Sequence, residues 1–80
     1  MKQLNSRVLD RLMVEGTIRF GSTVVPCTIS ALSKIGACLL VQTTRDIPVG
    51  FEFIVPNRPP KTCKVMWRDD TRLGVHFRQI

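Results

Sequence analysis

The sequence predicts an all-β fold, a six-stranded antiparallel β-barrel behind a flexible N-terminal arm. Three observations carry this expectation. Apolar residues recur with a period of two, the alternating runs are short, and turns containing Gly, Pro or Asp separate them at close intervals. Eighty residues make one domain near the lower limit of unaided folding. A sheet that small gains from closure into a barrel, which removes its exposed edges.

The first run, "LMVEGTIRF" from Leu12, sets Val14, Gly16, Ile18 and Phe20 in one register. "GST" turns the chain into "TVVPCTI", where Pro26 has no N–H for a ladder and belongs at an edge or bulge. "SALSKIGA" then interrupts the strand, and "ACLLVQ" restarts as the third. "TTRDIPVG" reads as loop, "FEFIV" as a short fourth strand and "PNRPP" as a break. In the fifth strand, "KTCKVMWR", alternation puts Cys63, Val65 and Trp67 on one face and Lys64, Met66 and Arg68 on the other. "DDT" is a turn holding Asp69 and Asp70, and "RLGVHFR" alternates Leu73, Val75 and Phe77 with Gly74, His76 and Arg78. Only "SRVLDRLM" has helical character, and it is too short to be stable alone. Residues 1–11 therefore read as the arm and 12–80 as a single barrel domain.

An apolar content of 44% suits a packed domain rather than a disordered one. No run of eighteen apolar residues exists to cross a membrane, and "MKQLNSR" lacks the apolar core of a signal peptide, so a cytoplasmic protein without membrane insertion is expected. Cys27, Cys38 and Cys63 form no C-x-x-C pair and no compact ligand spacing with His76, the only histidine; they read as buried thiols, with no metal. No acid pair, nucleophile with a base, phosphate loop or dinucleotide fingerprint is present, so neither an enzyme nor a bound cofactor is expected. The net charge of +6 points to an anionic partner. One Trp and no Tyr provide no run of stacking residues for single-stranded nucleic acid, which disfavours that partner.

Two short motifs remain. "RVLDR" places Arg7 and Arg11 four apart, and an arginine fork can bond guanine O6 and N7 in parallel or hold a phosphate bidentately. "SKIG" places Ser33 and Gly36 three apart in a turn. Ser33 supplies a small donor, turn amides can form an anion-binding nest, and Gly36 can take φ > 0 and let a ligand approach the backbone. Either motif alone has a plain reading, as a solvated arm and an ordinary β-turn.

Together, in this order and relation to the strands, the motifs resemble the PilZ domain family across nearly the whole chain. That family carries R-x-x-x-R before its first barrel strand and [D/N]-x-S-x-x-G between its second and third. Here these match Arg7 and Arg11, then Ala31, Ser33 and Gly36, and the ending "VMWRDDTRLGVHF" is similar to the family's last hairpin. The resemblance implies a barrel that binds the bacterial second messenger cyclic di-GMP on its outer surface. Arg7 and Arg11 would clamp guanine edges and phosphates as the arm folds over the ligand, Ser33 would contact it, and Gly36 would permit close approach. The family often takes a stacked ligand dimer, whose stoichiometry is tuned near the position of Ser6. The signal would pass through the arm or a surface to a downstream partner protein, often in motility or envelope machinery.

Ala31 departs from the pattern, where an Asp or Asn would bond the ligand. Losing one charge-assisted hydrogen bond costs about 1.5–3 kcal/mol, roughly ten- to a hundredfold in affinity. Ser30 can partly substitute if a local bulge turns it outward. Two alternatives follow: a degenerate domain that binds no nucleotide and serves as a protein-interaction adaptor, or a small basic barrel on nucleic acid, which would show steep salt dependence.

Overall fold

The computed structural model describes residues 14–78, which form a closed six-stranded antiparallel barrel with the strands in the ring order β1-β2-β3-β6-β5-β4. The strands are β1 (Val14–Phe20), β2 (Thr23–Leu32), β3 (Gly36–Leu40), β4 (Gly50–Ile54), β5 (Lys61–Arg68) and β6 (Arg72–Phe77). The period of two is realised as expected. Ile18, Cys27, Ile29, Leu39, Phe51, Phe53, Cys63, Leu73, Val75 and Phe77 all point inward and are buried. Phe53 and Phe77 stack across the core with ring centroids 6.1 Å apart. Among the described residues no helix is long and apolar enough to cross a membrane.

The turn chemistry follows the sequence. Gly21, at φ 59°, supplies the left-handed step of the β1–β2 hairpin, and Asn57, at φ 69°, does the same in "PNRPP". Pro26 lies in the part of β2 that pairs only with β1, because β3 pairing begins at Thr28, so the missing N–H faces no strand. Asp69 shapes the β5–β6 turn by accepting from the amides of Thr71 (3.1 Å) and Arg72 (2.8 Å).

Three features differ from the expected pattern. β2 runs on through Leu32, so Ser30–Leu32 are strand and only Ser33–Ile35 form the turn. Two bulges shift the registers, at Ser30 in β2 and at Met66 in β5. The second moves Trp67 off the inward face expected for it, leaving it 48% exposed while Cys63 stays buried. The loop after β3 is pinned rather than merely polar. Buried Thr44 donates its hydroxyl to Asp69 O (2.6 Å) and its amide to Asp70 O (3.0 Å), and Arg68 Nη1 donates to Thr44 O (2.7 Å). These bonds clip the loop to the β5–β6 hairpin and close one barrel end.

Candidate functional site

The turn between β2 and β3 is organised by Ser33. Its amide donates to Gly36 O (2.8 Å), while its hydroxyl accepts from the amides of Gly36 (3.2 Å) and Ile35 (3.3 Å) and donates to Gly36 O (3.3 Å). Two turn amides therefore aim at the Ser33 oxygen rather than into an open anion nest. The hydroxyl proton is the exchangeable part. Gly36 O keeps the Ser33 amide as a donor, so the O–H can rotate toward an external acceptor without orphaning the carbonyl. Lys34 and Ile35, at the turn's tip, are exposed.

Gly36 lies at the start of β3 opposite His76 of β6. Its φ is not positive, contrary to one reason for expecting glycine there. The requirement is steric: a Cβ built on Gly36 would collide with the carbonyl oxygen of Val75 and stand 3.3 Å from the His76 ring. Glycine lets β3 and β6 close together and brings His76 beside the turn.

Next to the turn, cross-strand register joins Ala31, Cys38, Gly74 and Trp67 in one row over β2, β3, β6 and β5. The row faces outward, since its flanking neighbours Leu39, Leu73 and Val75 are buried. Ala31 and Cys38 make a shallow shelf, and Trp67, lying over buried Gly74, closes its far end. A Cβ on Gly74 would run into the Trp67 indole, so the ring lies over that glycine's backbone. Arg72 stands 5.7 Å from the indole centroid and is held by Asp69, to which its Nε donates at 2.7 Å. The Arg72 guanidinium holds the Asp69 carboxyl below the usual carboxylate range, with the Thr71 and Arg72 amides adding to the effect.

The bulge at Ser30 leaves Ala31 exposed and Ser30 itself only partly so. The Ser30 hydroxyl is half-buried and donates to Cys38 O at 3.3 Å. Arg7 and Arg11, with Ser6, lie outside the described residues. Val14 pairs with Ile29, so the chain begins β1 beside the Ser30 bulge, at the shelf's near end. Sequence reasoning missed Trp67, His76 and Arg72 as neighbours of the turn. The bulge hid Trp67, whereas the outward alternation of His76 and Arg72 was readable but not the register that brings them here.

Cys27 and Cys63 belong to the core. Burial pushes the Cys27 thiol up to about 11, with Glu15 adding to the rise. Burial likewise pushes Cys63 up to about 12, where Lys61 opposes the rise and Cys27 adds to it. Both are neutral, inert packing groups at physiological pH.

Comparison with family models, curated proteins and solved structures finds no match to this chain.

Proposed function

We propose that the barrel is a PilZ-type receptor domain that binds cyclic di-GMP across the outward shelf and passes the signal to a partner protein. The observation that carries this reading is the shelf itself, a row of small residues between the Ser33 turn and a half-exposed indole. A nucleotide needs a flat floor, a donor for its phosphate and a stacking face. Ala31 and Cys38 supply the floor, Ser33 the donor and the half-exposed Trp67 indole, which covers Gly74, the face. Base–aromatic stacking contributes about 1–3 kcal/mol.

The arm supplies the remaining charge. Arg11 precedes Val14 by three residues, a reach of about 10 Å, and Arg7 by seven, about 24 Å, so both forks can arrive at the shelf. Lys34 at the turn adds to the attraction for phosphate. Gly36 keeps the floor low where the ligand passes. Ser30 is the nearest hydroxyl to the vacated Asp/Asn position, and its bond to Cys38 O is long enough to exchange for a ligand contact.

Isothermal titration of cyclic di-GMP into the full chain tests this reading. Saturable binding is expected, weakened about tenfold or more by Arg7→Ala or Arg11→Ala, since a bidentate base contact contributes about 1–3 kcal/mol. Binding that survives both substitutions removes the site. An absence of heat at high micromolar ligand supports a second reading, favoured by Ala31: a domain that has lost the nucleotide and serves as an adaptor between proteins.

A further inference from the structure

A groove of about 880 Å³ runs over β4 and β5 and is bounded by the end of β1 and by Arg78. In the closed ring β4 lies three strands from β3 in either direction, so the groove is on the opposite side of the barrel from the start of β3. Its floor is apolar. Phe20 and Phe51 underlie it, and Val49 stands 56% exposed at its margin. Gly50 lies opposite Lys64 and leaves a gap in the wall; a Cβ built there meets only the Cys63 carbonyl oxygen, at 3.9 Å.

The rim is cationic. Arg19, Lys64 and Arg78 face a single lining carboxylate, Glu52, which already accepts from Arg19 Nε at 2.9 Å. Lys64 also pairs across the strands with His76 rather than with an acid. With Arg19 held by Glu52, Lys64 and Arg78 carry the surplus positive charge around an exposed valine and an open glycine gap. The groove thus combines two recognition chemistries, one for carboxylates and one for an aliphatic or aromatic side chain.

We propose that this groove docks an extended acidic peptide segment of a partner protein, with an apolar side chain of that segment seated over Val49 and Gly50. Charge complementarity selects this occupant. The chain's own residues 1–13 contain Lys2, Arg7 and Arg11 against Asp10 and would be repelled by the same rim. A phosphodiester backbone would use the cations but not the apolar floor. On the β1 side of β4 only Gly50 and Phe51 lack a strand partner, too short an edge for strand addition, so side-chain contacts hold the peptide. The proposal stands whether or not the opposite face binds cyclic di-GMP.

Panning a phage-displayed random peptide library on the full chain tests it, followed by fluorescence anisotropy with the enriched peptide. Sequences combining Asp or Glu with Leu, Ile or Phe are expected. Their affinity should fall about tenfold or more in Lys64→Glu/Arg78→Glu, and comparably in Gly50→Leu, which fills the groove without reversing charge. Arg45→Glu, an equal charge reversal at an exposed loop position outside the groove, should leave it unchanged. Failure to enrich any peptide, enrichment of basic or uncharged ones, or equal binding of acidic ones to the charge-reversed protein overturns the proposal. Displacement of the peptide by an equimolar single-stranded oligonucleotide also overturns it, in favour of a nucleic-acid surface.

Discussion

At the residue scale, two positions make distinct demands. Gly36 is fixed by the Val75 carbonyl, which occupies the space of any Cβ there. Backbone cannot swing aside as a flexible side chain can, so Gly36→Ala is expected to destabilise the barrel by about 1–3 kcal/mol in a urea melt, the range of overpacking substitutions. Gly74→Ala meets an indole instead and is expected to displace Trp67, changing the emission of the sole tryptophan with a smaller loss of stability. Asp69 offers a pH test. Its carboxyl is lowered in the folded state, first by the Arg72 side chain, so its contribution is present above the ordinary carboxylate pKa of about 3.9. It is lost as pH falls through the lower folded value. Wild type should therefore melt above Asp69→Asn at pH 7, and the difference should shrink toward zero in strongly acid buffer.

At the element scale, the pinned loop and the two bulges separate what was legible in the sequence from what was not. Six strands could be read from period two because every strand has one buried face; β5 even begins and ends where "KTCKVMWR" does. The bulges could not. The extra residues, Ser30 and Met66, bear no mark, since the local kink requires no special side chain and is set by pairing to a distant strand. One unmarked residue was enough to reverse the inferred facing of Trp67, the largest side chain at the candidate site. The motif positions Ser33 and Gly36 were legible from the chain; the shelf beside them was not, because register across β2, β3, β6 and β5 creates it. Thr44 is similar, a threonine in loop-like sequence whose partners lie about 25 residues away. Thr44→Val should cost about 1–3 kcal/mol by leaving buried polar groups unpaired, with the melting temperature as the readout.

At the scale of the whole molecule, closure gives so small a barrel two usable faces. One begins at the Ser33 turn and ends at Trp67; the other is the cation-rimmed groove over β4. A nucleotide on the first leaves the second free, which suits a domain that takes a small ligand and meets a partner at once. On the proposed reading, the affinity of the shelf for cyclic di-GMP depends on how much of the contact absent at Ala31 Ser30 restores. Ser30→Ala is expected to weaken cyclic di-GMP binding severalfold by titration; unchanged affinity would mean that the Ala31 position goes unfilled. The most direct test of the central claim is a ¹⁵N–¹H correlation spectrum of the full chain titrated with cyclic di-GMP. The predicted result is a set of saturable shifts at the Ser33–Gly36 amides, Cys38, Gly74 and the Trp67 indole N–H. Shifts confined to the β4–β5 groove, or none at high micromolar ligand, would contradict it.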